Sequence, residues 1–327
     1  MVSVVIPTYN RASLVRNSIE SALGQTFRDL EVIVVDDGST DGTGEIVRRE
    51  YGERIRYFYQ PNQGQSVAFN SGIEKARGEY IAFLASDDVW LPEKIEWQLK
   101  ALNQFGPKYG ACYTDARFMN SSTDTKTVFQ FAKQRYEGEM GIVPDVIRVL
   151  LEPHPMTPIW VQTLVAHADL VRQIGGFEPK LRFGEDDEFL FRLGKVTGFC
   201  YVNSPLTKID RRPALDRHTE VNEDWDRVEF RLEQSQFRYE KRWSLSEGMP
   251  SDVRRAIRRE LRSVHSAWAN WYLETGQYSR AREAVSKAAS YDLTFNLALK
   301  WVMTRLVPRL AYTVVRVGAG RNERPKA

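Results

Sequence analysis

Four times in its first 105 residues the chain runs from a short β-branched segment into a stretch of helical character. The short segments are VSVVIPTY (2–9), LEVIVVDD (30–37), RIRYFYQ (54–60) and EYIAFLA (79–85). Continuous apolar runs of this length suit strands covered on both faces. After the first, Leu14, Val15, Ser18, Ile19, Ala22 and Leu23 recur at helical spacing, and Gly24 supplies a stop. GSTDGTGEIVRREYG (38–52) predicts a second helix capped by Thr40 or Asp41. GQSVAFNSGIEKARG (64–78) predicts a third that ends at Gly78, and PEKIEWQLKALNQF (92–105) a fourth with Pro92 in its first turn. Alternation at this spacing predicts a mostly parallel α/β sheet with helices on its faces.

Open sheets of this kind bind ligands outside the carboxyl ends of their strands. Pro7-Thr8-Tyr9, Asp36-Asp37 and Asp87-Asp88 all fall at those ends. In FLASDDVWLP (83–92) a buried run stops at two adjacent carboxylates, which suits either a solvated turn into the next helix or a cation site. A third acidic cluster, Gly184-Glu185-Asp186-Asp187, opens the helical half of GGFEPKLRFGEDDEFLFRLGKVTGF (175–199); carboxylates are also simply favoured at a helix N-terminus. GACYTDARF (110–118) and IWVQTLVAH (159–167) read as strands, and 120–145 as polar loop. Walker A, GxGxxG, HExxH and GxSxG patterns are absent. Cys112 and Cys200 have no ligand spacing and read as reduced thiols.

Three segments fall in the order of the family 2 glycosyltransferases, which are inverting enzymes with the GT-A fold, and the chain resembles that family over about residues 2–212. They are VSVVIPTYNRASLVRNSIESALGQTFRDLEVIVVDDGSTDGT, NQGQSVAFNSGIEKARGEYIAFLASDDVWLPEKIE and GGFEPKLRFGEDDEFLFRL. The resemblance implies a Rossmann-like sheet flanked by helices. It implies a donor site in which Pro7, Thr8 and Tyr9 wall the base pocket and Asp37 accepts the ring N–H of a uracil or thymine. Asp88 is implied as the direct ligand of Mn²⁺ or Mg²⁺, with Asp87 holding the ribose or a metal-bound water. Hard cations of this kind need few protein oxygens when phosphates and waters supply the rest. Relatives often read Asp-x-Asp-Asp here, whereas this chain has Ala85 at the first position. Asp186 is implied as the base that takes the acceptor proton, supported by Glu185. Many relatives carry His-Pro a short way downstream; Arg212-Pro213 stands there instead, and an Arg can bind diphosphate oxygens. His218 is the runner-up as a metal ligand; His154 and His167 have no supporting pattern.

The expected organisation is a GT-A domain over 1–215 and a helical C-terminal region over 216–327. HSAWANWYLETGQYSRAREAVSKAASYD (265–292) is similar to a single tetratricopeptide helix pair, which cannot build a solenoid alone. Residues 241–327 hold 17 Lys and Arg against 7 Asp and Glu; because the whole chain carries +3, the first 240 residues carry −7. An acidic front tolerates a cation, and a basic back favours an anionic surface. LALKWVMTRLVPRLAYTVVRV (297–317) is too interrupted by charge for a membrane span. It reads first as a helix packed on its own protein and second as an interfacial amphipathic segment. Met1 leads straight into a core strand, not a secretory leader, so the expected setting is cytoplasmic, with peripheral contact at the inner face of the cell membrane as an added reading. The implied partners are a UDP- or dTDP-sugar donor and a glycan or lipid-linked acceptor in polysaccharide or glycoconjugate synthesis, and no nucleic acid. Rival readings are a sugar-nucleotide pyrophosphorylase, which PTYNR disfavours because it is no Gly-rich loop, a degenerate binding module suggested by Ala85, and a scaffold built on the C-terminal helices.

Overall fold

A computed structural model describes residues 1–119, 126–152, 156–210 and 227–292, with Thr294 and Ala298. The chain divides into two compact units, Met1–Asn222 and Glu223–Ala327. The first opens with the expected alternation: β1 (Val2–Thr8), α1 (Val15–Leu23), β2 (Leu30–Asp36), α2 (Thr43–Tyr51), β3 (Arg56–Tyr59), α3 (Gln65–Lys75) and β4 (Tyr80–Phe83). There follow β5 (Val89–Trp90), α4 (Lys94–Phe105), β6 (Tyr109–Met119), α5 (Val128–Phe131), β7 (Met140–Ile142), α6 (Val146–Leu151), β8 (Leu164–His167), α7 (Ala168–Gln173), α8 (Glu185–Val196) and β9 (Gly198–Asp210).

Among the described residues these strands make one sheet in the order β3-β2-β1-β4-β8-β6-β9-β5, with β7 also on β9. The pairs β3–β2, β2–β1 and β1–β4 are parallel, as is β6–β9. β8 runs antiparallel to both β4 and β6, so β1, β2, β3, β4, β6 and β9 all point one way. β1 is buried along its whole length and sorts its side chains by period two. Val5 joins Ile33, Val35, Phe69 and Phe83 on the α3 face; Val4 and Ile6 join Ile19, Val34 and Val47 on the α1–α2 face. α3 crosses β1 at Gly72, where a Cβ would lie 2.2 Å from Val5 Cγ1, so only glycine permits this approach.

Three local readings need correction. α2 is capped by Gly42 at φ 89°, and neither Thr40 nor Asp41 is the capping residue; Asp41 instead accepts from Thr43 N–H and Oγ1–H as a turn. α3 ends at Lys75, because Ala76 has already turned extended. Only Leu164–His167 of the run 159–167 is strand; Val161–Thr163 forms a 3-10 turn that carries Gln162 under the rim.

The second unit holds α9 (Val228–Ser244), α10 (Ser251–Glu274) and α11 (Tyr278–Tyr291). α10 and α11 form a helical hairpin turned at Gly276, φ 74°, with Val264, Trp268, Ala269, Val285 and Ala288 between them. Leu232 and Tyr239 of α9 pack on the same core, and the buried Arg242 pairs with Glu260 at 2.9 Å. No helix among the described residues is long and apolar enough to cross a membrane. The segment 297–317 lies outside the described residues apart from Ala298.

Candidate active site

The parallel register sets the first two clusters side by side: Thr8 pairs with Asp36, and Asp37 N–H donates to Thr8 O at 2.8 Å. Asp36 is spent locally, accepting from Ser39 N–H and from Tyr57 Oη at 2.7 Å. Asp37 ties down the chain that leads into α3. Its Oδ1 accepts from Gln60 Nε2 and Gln63 N–H, and its Oδ2 from Gly64 N–H at 2.8 Å. Burial pushes the Asp37 carboxyl up despite these donors. A carboxylate has roughly four acceptor positions, so one on Oδ2 remains. On the neighbouring strand, Thr8 Oγ1 is buried without a hydrogen-bond partner. Such orphaned groups are uncommon in folded proteins and ask for an explanation.

The loop after β1 is bolted to the loop before α2. Asn10, held at φ 50°, accepts from Thr40 N–H through its side chain and donates its N–H to Ser39 Oγ; Arg11 N–H donates to Thr43 Oγ1. This aims Arg11 across the rim, with Nη2 3.8 Å from Asp87 Oδ2.

Asp87 and Asp88 differ in exposure. The Asp87 side chain is 29% exposed, while Asp88 is 2% exposed. Immediately after Asp88, β5 pairs antiparallel with Thr207 and Lys208 of β9. That pairing brings Asp210 N–H to Asp88 Oδ1 at 2.8 Å, and the Gln162 side chain also donates to Asp88. Burial first, then the neighbouring Asp87 charge, hold the Asp88 carboxyl well above the usual carboxylate range. Two adjacent carboxylates whose joint ionisation is opposed suit an oxygen-seeking cation such as Mg²⁺ or Mn²⁺. Among the described residues no group of three or more His, Cys, Asp or Glu forms a fuller cage. Arg212, His218 and His154 lie outside the described residues.

Glu185, Asp186 and Asp187 form the first turn of α8 behind Gly184, which sits at φ 73°. Asp186 Oδ1 accepts from Asp187 N–H at 2.8 Å. Two devices bring this turn to the rim. Phe177 and Phe189 stack at 4.2 Å, and Phe83 at the end of β4 meets both edge-on at 5.5 and 5.4 Å. In addition, Ser66 Oγ donates to Leu181 O, and Asn70 exchanges two hydrogen bonds with Phe177. Further along α8, Glu188 and Arg192 form a bidentate pair at 2.6 Å, and Arg192 also reaches Ile174 O.

Sequence reasoning missed Arg11, Gln60, Gln162, Phe177 and Asp210. Arg11 had a usable signal, since it follows the end of β1; Asp210 closes β9, a strand the sequence did not announce, and Gln162 was hidden in a run that imitates a strand.

Residues 3–149 match the model of the glycosyl transferase family 2. An uncharacterized glycosyltransferase of Rickettsia typhi is 33% identical over 223 residues, 68% of each chain. EpsJ, an uncharacterized glycosyltransferase of Bacillus subtilis, is 30% identical over 240 residues, covering 67% of this chain and 66% of that protein. Among solved structures, S. aureus TarS 1–349 in complex with UDP-GlcNAc aligns with a TM-score of 0.67 at 16% identity, over 99% of this chain and 93% of that one. The mannosyltransferase PcManGT of Pyrobaculum calidifontis, solved with GDP-Man and Mn²⁺, gives 0.53 at 20% identity, over 97% of this chain and 86% of that one. At those identities the likeness is one of fold, a helix-flanked GT-A sheet. On the strength of the family match and these relatives, the chain belongs to the family 2 glycosyltransferases.

Proposed function

We propose that this protein moves a sugar, with inversion, from a UDP- or dTDP-linked donor to a hydroxyl of a glycan or lipid-linked acceptor in polysaccharide or glycoconjugate synthesis. The observation that carries the reading is the packing of Phe83 on Phe177 and Phe189, which fastens the acidic first turn of α8 to the strand end that bears Asp87 and Asp88. TarS, solved with UDP and with UDP-GlcNAc, lends the donor class support.

In this reading Tyr9 stacks on the base beside Pro7. Thr8 walls the pocket with them, and the remaining position on Asp37 Oδ2 accepts the ring N–H of the base. The direct cation contact moves from Asp88 to the more open Asp87, while Asp88 holds Asp210 and Gln162 in register. A divalent cation bound there would neutralise charge on the departing diphosphate. Arg11 adds a fixed positive charge at the same edge, and Arg212 is proposed to assist it. Asp186 accepts the acceptor O–H proton as the new C1–O bond forms opposite the breaking bond to phosphate. Glu185 orients the acceptor.

Calorimetric titration of UDP, dTDP and GDP with Mn²⁺, Mg²⁺ or EDTA tests the donor site. Cation-dependent binding of a uracil or thymine nucleotide, lost in Asp87→Asn, is expected. Nucleotide binding without sugar transfer would favour the binding-module reading that Ala85 suggests. The basic C-terminal segment is proposed to meet an anionic membrane surface. Full-length protein should float with anionic vesicles at low salt and stay behind with neutral ones.

A further inference from the structure

At the rim, Arg11 is placed as firmly as the carboxylate it faces. Its N–H is spent on Thr43 Oγ1 at 2.9 Å, Asn10 before it sits at φ 50°, and Ala12 N–H after it donates to Asp41 Oδ2 at 3.0 Å. Its carbonyl accepts from Leu14 and Val15 N–H, so the residue is built into the entry to α1. The turn that bears Asp87 is fastened to the same helix. Ser18 Oγ donates to Asp88 O at 2.7 Å, and Trp90 N–H donates to Ser21 Oγ at 3.2 Å. α1 therefore holds the backbone at both ends of the pair.

The two side chains are near each other without being locked together. Arg11 is 18% exposed and Asp87 29%. Nη2 and Oδ2 stand 3.8 Å apart, close enough for the charges to attract and too far for a hydrogen bond. Among the described residues the guanidinium spends Nη1 on Asn10 O at 3.3 Å. A fork of five N–H donors has more to give than that.

The electrostatics give this placement a meaning. Adjacent carboxylates repel, and a positive charge beside the more open one relieves that repulsion before any ligand arrives. The same charge opposes a divalent cation that approaches Asp87 alone. A nucleotide diphosphate reverses the balance, because its oxygens offer a guanidinium a bidentate, charge-assisted partner. We propose that Arg11 is the resident counter-ion of Asp87. It shields that carboxylate from free divalent cations and releases it only to a nucleotide diphosphate, so that cation binding at Asp87 is coupled to donor binding. This role rests on the donor-site reading above and sets the order in which that site takes its ligands.

The test measures free Mn²⁺ by electron paramagnetic resonance over the full-length protein, with and without UDP, dTDP or GDP. Without nucleotide, Arg11→Gln should bind Mn²⁺ about tenfold more tightly than the unaltered chain, the scale of removing one partly screened charge beside the ion. With nucleotide, the same substitution should act in the opposite direction and weaken nucleotide and Mn²⁺ together by about tenfold. Arg11→Lys keeps the charge without the fork. It should exclude free Mn²⁺ as the unaltered chain does and still bind nucleotide less well. Adding Asp87→Asn to Arg11→Gln should abolish the gain, with an unchanged unfolding midpoint showing that the fold is intact. The opposite signs are the signature, because a residue that merely supports the rim would weaken both. Unchanged or weaker Mn²⁺ binding by Arg11→Gln without nucleotide overturns the proposal. So does a gain that survives Asp87→Asn, or one that Arg11→Lys shares. If nucleotide binds with Mn²⁺ and the gain is absent, the donor site stands and the role of Arg11 falls. If the Asp87-dependent gain appears and no nucleotide binds, the counter-ion role stands and the donor-site reading falls.

Discussion

The two halves of the α/β unit are built on different logic. From β1 to β3 each strand lies beside its neighbour in sequence, β4 returns to the free side of β1, and the order β3-β2-β1-β4 is wholly parallel. From β5 to β9 the sheet is assembled out of order: β8 slips between β4 and β6, and β5 pairs with a strand more than a hundred residues later. The first half presents Thr8, Asp37 and Asp87 on turns fixed by local bonds. The second delivers Gln162 and Asp210 to Asp88 from afar, and long-range aromatic packing ties the helix that bears Asp186 to the end of β4. On the proposed reading the first half binds the donor and the second performs the transfer, so mutations in the two halves should damage different quantities.

The largest effect separates them directly. Asp186→Asn should lower kcat by about 10²–10⁴-fold, the usual yield of a positioned base. The nucleotide Kd should stay as it was, because Asp186 sits on α8 and not in the base pocket. Isothermal titration beside steady-state turnover gives both numbers, and a parallel loss of nucleotide affinity would erase the distinction. Asp37→Asn is the converse. An amide cannot accept all of the donors from Gln60, Gln63 and Gly64, and the loop into α3 should loosen. We expect the nucleotide Kd to rise by about tenfold, a hydrogen-bond-sized loss, with kcat at saturating donor little changed.

The same division decides what could be read from the sequence. β1 to β4 were legible because each element carries its own signal: a β-branched run, a helical period, a turn. Asp37 and Asp87 were legible with them, since a strand end is a sequence position. The second half gave weaker signals. VQTLVAH alternates as a strand does, yet its first residues form a 3-10 turn, which carries Gln162 to Asp88. The family resemblance implied Asp88 as the direct cation ligand, and nothing local reveals that β9 would return to donate an N–H to it. Phe177 looked like one more apolar residue until the fold stacked it on Phe189.

Phe177→Ala tests how far that stacking joins the halves. Phe177 is 1% exposed and touches Phe69, Phe83 and Phe189. Truncating a buried Phe costs about 3–5 kcal/mol, read by denaturant unfolding. Below the unfolding midpoint, transfer should suffer more than nucleotide binding, because the first turn of α8 loses its anchor while the base pocket keeps its own bonds. Equal losses would mean that the halves are less separable than their construction suggests.

The smallest expected effect lies in the helical unit and sharpens the contrast from outside. His265 is 6% exposed, stacked on Tyr291, with Nε2 buried and without a hydrogen-bond partner. Burial lowers its pKa; the charge of Glu240 opposes that shift and Lys287 adds to it. The unfolded chain therefore takes up a proton near the ordinary value of 6.5 while the folded unit refuses it. Below that pH the unfolded state binds more protons, so stability is complete above it and is lost as pH falls toward the lowered folded value. Calorimetry of the full chain at about pH 8 and about pH 5.5 should show the helical unit's transition falling on acidification. In His265→Phe, which keeps the stacking and removes the titrating nitrogen, that fall should shrink. Nucleotide affinity at neutral pH should not respond to this substitution, since neither half of the α/β unit contains His265. A fall of the same size in the variant would assign the acid sensitivity to another group.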